Sequence, residues 1–244
     1  MTKTAHDHLS RKEIKGPDQF QVAASQAVDW MTHRRKQVLL GAGAVVAVLV
    51  LGTVFVSMRA SQEREAGALL YRAVDAAGGE ISSVPLSGVP APLFKNDEER
   101  QRAVIEAAQK VRDRRGGSRA ATTATLMIGN AQYRLGDFDK ALEAYRAFLA
   151  EAPSDDSLRF TALGGIAYAL ESKGQLDDAA KAWDEAANQS KSFADRAAIE
   201  KARVLAKAGK ADEARKILGA FPEQHKESPL GAEAAEHLAR LGGK

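Results

Sequence analysis

Three segments of this sequence repeat one spelling at intervals of 38 and 35 residues. They run from Gly136 through Ala141 to Tyr145, from Gly174 through Ala179 to Trp183, and from Gly209 through Ala214 to Leu218. In each, a hydrophobic residue or alanine follows the glycine by two places, an alanine by five and a bulky residue by nine. Self-similarity at a fixed period of this size describes units that cannot bury their apolar faces alone and must stack. Glycine supplies the left-handed conformation that ends a first helix. Asp137, Asp177 and Asp212 stand at or just after the turn, where short carboxylates favour a helix N-terminus. Ala141, Ala179 and Ala214 are small enough for paired helices to cross closely, and Tyr145, Trp183 and Leu218 fill the space toward the neighbouring unit. The expected fold is all-α, an α-solenoid of helix–turn–helix repeats.

Residues 122–155 resemble a tetratricopeptide repeat closely. Gly129, Asn130 and Ala131 fall in the first helix, Gly136 at the turn, Ala141 and Tyr145 in the second helix, and Pro153 closes the unit. The observed spacings lie near that family's period of about 34 residues. A second repeat has Ala167, Gly174, Ala179, Trp183 and Ala186 but no closing proline, and a third keeps Ala202, Gly209, Ala214 and Phe221. Both ends read as caps. Ser228 and Pro229 are expected to start a last helix that runs to Leu241, as N-cap and first-turn proline. Asn96 is expected to cap a helix over 97–113 that packs on 118–135 as a half repeat.

The second strong feature is an uncharged run of 21 residues, Val38 to Met58. As a helix it spans roughly 31 Å, against a bilayer core of about 30 Å. It shows no polar stripe, so a single transmembrane helix is expected over 37–58. Arg34, Arg35 and Lys36 abut its start, whereas the basic residues just beyond it are offset by Glu63, Glu65 and Asp75. The positive-inside rule then puts the N-terminus in the cytoplasm and the repeat domain across the membrane. A cleavable signal peptide fits poorly, because the leading region is long and no small-residue cleavage site follows. In the tail 1–36, residues 1–16 read as disordered, and an amphipathic helix is expected over 17–33 with Phe20, Ala24, Ala27 and Met31 along one stripe. Residues 59–95 are expected to hold a juxtamembrane helix and a Gly/Pro-rich linker (78–94), with 59–77 either continuing the membrane helix outward or forming the first helix of the domain, and 96–244 the repeat domain.

Charge placement excludes one class of partner. The whole excess of +3 lies in residues 1–36, which carry seven Lys/Arg against four acids, and 28 residues of each sign remain in the rest. A balanced domain of this kind lacks the concentrated basic surface that nucleic acid requires. There is no cysteine, and the five histidines have no partners at metal-ligand spacing. No phosphate-loop or nucleophile-elbow sequence occurs. The expectation is a non-enzyme without cofactor or metal.

What the repeat resemblance implies is a groove lined by first helices. Matching the repeat places Thr123, Leu126, Asn130, Tyr133 and Arg134 there from the first unit. Thr161, Gly164, Tyr168 and Glu171 come from the second, and Arg196, Ile199, Arg203 and Lys207 from the third. Tyr133 and Tyr168 are candidates to anchor an apolar side chain of a partner protein, and Arg134 and Arg203 to meet its acids. Repeats that grip a C-terminal carboxylate usually carry a basic residue four before the groove asparagine. Leu126 stands there, so that mode is not expected. The layout of short tail, single span and tetratricopeptide-like domain resembles the YfgM-type ancillary subunits of the bacterial Sec translocon. That resemblance implies an inner-membrane protein with a periplasmic domain, contacting the translocon and handling exported proteins with chaperones. A scaffold of another envelope machine (division, outer-membrane assembly, secretion or motility) shares the same physics, and a regulatory subunit of an envelope enzyme, reaching its partner with the Pro-rich loop 78–94, is the alternative of another class.

Overall fold

A computed structural model describes residues 19–82 and 92–242. The chain divides into two compact units, Met1–Arg59 and Ala60–Lys244. Residues 1–16, Pro17 and most of the linker 78–94 lie outside the described residues.

The first unit contains helix α1 (Gln19–His33) and the opening part of helix α2 (Arg35–Ala77). Every described side chain from Leu39 to Met58 is exposed. Among the described residues, this is the one helix long and apolar enough to cross a membrane.

The second unit begins with residues 60–77 of α2 and continues through α3 (Asp97–Arg115), α4 (Arg119–Arg134), α5 (Phe138–Glu151), α6 (Leu158–Ser172), α7 (Leu176–Gln189), α8 (Ala194–Lys207), α9 (Ala211–Gln224) and α10 (Gly231–Arg240). Each helix from α3 onward packs against the next. The pairs α4–α5, α6–α7 and α8–α9 are the three repeats, and their turns are chemically alike. After α4, Gly136 has φ of 78°. Its amide donates to the Tyr133 carbonyl at 3.0 Å and the Asp137 amide reaches back to Gln132 at 3.0 Å, which satisfies the last carbonyls of the helix. Gly174 and Gly209 end α6 and α8 in the same conformation.

Packing follows the repeat positions. Ala141, Ala179 and Ala214 are fully buried, as are Phe148 and Phe221, and Tyr145, Trp183 and Leu218 are almost so. One apolar cluster runs from Leu126 to Ala234 through all three repeats. A second joins Ala66 and Ala73 of α2 to Ala108 and Val111 of α3 and to Ala120, Ala121 and Ala124 of α4. Residues 60–77 therefore lend apolar side chains to α3 and α4, and the compact unit begins well before residue 96.

Three local expectations differ from the structure. Ser228 and Pro229 lie in a turn, and α10 starts only at Gly231. The Ser228 hydroxyl instead donates to Asp195 Oδ2 at 2.6 Å, tying the turn back to α8, while accepting from the Leu230 amide at 3.1 Å. Asp137 precedes α5 but makes no side-chain cap bond; its carboxylate takes Lys140 at 2.5 Å. The chain is also not wholly helical, since Glu80–Ile81 and Leu93–Phe94 pair as two short parallel strands, β1 and β2. Asn96 does cap α3, accepting from the Glu99 amide at 2.8 Å.

Candidate protein-binding groove

The first helices of successive pairs lie side by side. α4 touches α6 directly. Glu171 of α6 pairs with Arg203 of α8, and Arg196 of α8 with Glu233 of α10. This face carries the residues assigned to the groove, but it treats them in different ways.

Leu126, Ile199 and Gly164 are corrections. Leu126 is 4% exposed and Ile199 is 1% exposed, so both belong to the core. Gly164 is buried under the Trp183 ring, where an added Cβ would stand 3.2 Å from the indole. One helical face cannot serve both core and solvent, and the larger apolar side chains are drawn inward.

Tyr168 is 36% exposed and meets Trp183 edge-on, with centroids 5.1 Å apart. Burial of its ring, with Glu200 nearby, pushes the phenol up to about 12. The Trp183 indole N–H is buried and has no hydrogen-bond partner among the described residues.

Beside Tyr168 the groove is closed by its own charges. Arg203 grips Glu171 with both terminal nitrogens, at 2.8 and 2.6 Å, and its Nε donates to Glu200 at 2.8 Å. Lys207 adds a third donor to Glu171 at 3.0 Å. The Arg203 guanidinium, then burial opposing it and the Lys207 ammonium, leave the Glu171 carboxyl at about 2, well below the ordinary range. Arg203, expected to meet a partner's acids, already has two carboxylates of its own.

The first repeat is arranged otherwise. Tyr145 donates its hydroxyl to Asn130 Oδ1 at 2.9 Å, leaving the Asn130 amide NH2 without a protein partner among the described residues. Tyr133 leans on Phe138, with centroids 5.6 Å apart. Arg134 is exposed and makes no hydrogen bond or ion pair among the described residues. A cavity of about 570 Å³ opens here, with Asn130, Tyr133 and Arg134 on one side and Arg100 and Gln101 of α3 on the other. Arg100 and Gln101 were missed at the sequence level. The apolar stripe of α3 marks Val104 and Val111 as inward, and nothing in that pattern singles out a buried glutamine.

Pro153 follows the end of α5 and is exposed. The junction it closes is held by Arg159, which donates to the carbonyls of Leu149 at 2.7 Å and Ala152 at 3.1 Å. Among the described residues there is no cluster of His, Asp and Glu able to hold a metal ion.

The sequence profile of one family, described as a tetratricopeptide repeat-like domain, matches residues 29–227. A comparison with curated protein sequences gives no match. Two crystal structures of kinesin-light-chain TPR-like repeats from Podosopora anserina are similar at 17% identity, with TM-scores of 0.48 and 0.49, over 58% of this chain and 77% of theirs. The Yersinia enterocolitica type III secretion chaperone SycD, solved with a peptide of the translocator YopD, is similar at 19% identity with a TM-score of 0.43. That match covers 51% of this chain and 95% of SycD.

Proposed function

Because the chain belongs to the tetratricopeptide repeat-like domain family, a scaffold for protein–protein interaction, we propose that it works as a scaffold anchored in a bacterial inner membrane. The N-terminus lies in the cytoplasm and the repeat domain in the periplasm. There it acts as an ancillary factor of the export translocon and receives emerging proteins or their chaperones along its first-helix face. The observation that carries the anchoring is the bare apolar stretch of α2. All described side chains from Leu39 to Met58 are exposed, a surface that water does not tolerate at this size. The orientation follows from Arg34, Arg35 and Lys36 at its leading end.

Two measurements on native membranes test this. Protease added from the periplasmic side should cleave the chain only beyond residue 58, and a photo-crosslinker at Val45 should reach the translocon channel. Cleavage of the tail before Arg34 from that side contradicts the orientation. Val45 adducts to a single envelope complex without any translocon component would favour a scaffold of that machine instead.

A further inference from the structure

The four cations assigned to the groove are not equivalent. Arg203 and Lys207 converge on Glu171, and Arg196 on Glu233, so that end of the face carries its own counter-ions. The cavity at the first repeat has two guanidiniums in its lining, those of Arg100 and Arg134, and no carboxylate. Arg100 is turned to Asp97, 2.5 Å from Oδ1, and to the Gly79 carbonyl at 3.3 Å. Asp97 Oδ1 is also taken by Gln101 at 3.0 Å. Two positive charges thus face one carboxylate, which is already shared. The Arg134 guanidinium is the one left over. It lies within the field of Asp97 and also borders a neighbouring open groove along α3, where Glu98 and Arg102, Glu106 and Lys110, and Asp137 and Lys140 pair with one another and Asp113 accepts from Gln109.

The rest of the cavity sets the remainder of the ligand. Met127, Val104 and Ala131 give it an apolar wall beside Arg134, and the unpartnered amide of Asn130 faces the same space. We propose that this cavity is the specificity pocket of the scaffold, and that it takes an acidic side chain within an extended segment of the partner protein. Arg134 binds the carboxylate, an adjoining aliphatic side chain lies on the half-buried Met127, and the Asn130 amide donates to the partner's backbone. A chain-terminal carboxylate carries the same charge, and the test separates it from a side-chain acid. The inference rests on the reading of the first-helix face as the partner site.

The test is a selection with the full chain in detergent micelles against a display library of random octapeptides embedded between fixed flanks, so that no peptide has a free terminus. The expected result is enrichment of peptides with Asp or Glu at one fixed position next to Leu, Ile or Val. Replacing that acid by its amide should weaken binding about tenfold, the scale of one charge-assisted hydrogen bond. Arg134→Gln should remove the preference for the acid while leaving the thermal midpoint unchanged, since the side chain is exposed and unpaired. Arg134→Lys should keep part of it. Enriched peptides without an acid, or an acid preference that survives Arg134→Gln, overturn the proposal and leave the groove reading standing. Binding that appears only when the peptide end is free also overturns it. If nothing is enriched, the groove reading falls and the pocket with it.

Discussion

Tyr145 is clamped between two glycines. A Cβ at Gly129 would stand 2.7 Å from the ring and one at Gly165, on the next first helix, 2.4 Å from it. The ring cannot retreat, because its hydroxyl is bonded to Asn130. In an open helix position, Gly→Ala stabilises by about 1 kcal/mol. Gly219, where an added Cβ would meet nothing within 4 Å, should behave so. Gly165→Ala should do the opposite and cost about 1–3 kcal/mol through overpacking. Urea unfolding of the two variants checks the sign. A second prediction concerns Glu171. Its carboxyl lies near 2 in the folded protein against an unfolded value of 4.5, so its contribution is complete above the unfolded value and is lost as pH falls toward 2. The stability gap between the protein and Glu171→Gln should therefore be open at pH 7, on the order of 1–2 kcal/mol, and close between about pH 5 and 2. At this scale the repeat residues were legible, because Gly136, Ala141 and Tyr145 recur at a fixed spacing. The pairing of Glu171 with Arg203 was not. They are 32 residues apart, and both fit the pattern of a solvated groove face.

Among elements, the close crossings decide stability. Ala179 lies in α7 with no exposed surface, at the contact with α6 and α8. Ala179→Arg should lower the thermal midpoint strongly or prevent folding, since the bulk and charge have nowhere to go; Ala141→Arg should do the same. An unchanged midpoint in either would contradict the assigned crossings. The leading segment makes a second test. Residues 60–77 cover Ala108 and Val111 of α3 and Ala120, Ala121 and Ala124 of α4. A fragment starting at residue 78 should unfold at a lower temperature than one starting at 60 and should aggregate more readily. Sequence reasoning left 59–77 open between a continued membrane helix and a domain helix, because an Ala-rich amphipathic stripe fits either. The last helix was misjudged at its start for a related reason. Ser228 and Pro229 spell a cap, but the tertiary bond from Ser228 to Asp195 holds that spelling in a turn.

At the scale of the whole molecule, the chain joins an apolar helix whose described side chains are exposed along Leu39–Met58 to a repeat domain whose first helices present a partly self-neutralised face. The repeats alone imply a scaffold, and a scaffold of this family works by which face meets its partner. The most direct measurement is photo-crosslinking in native membranes from two sets of positions, Tyr133 and Tyr168 on first helices against Glu143 and Glu185, exposed on second helices. The account predicts adducts to exported proteins or their chaperones from the two tyrosines and none above background from the two glutamates. Equal labelling from both sets, or labelling from the glutamates alone, would contradict it.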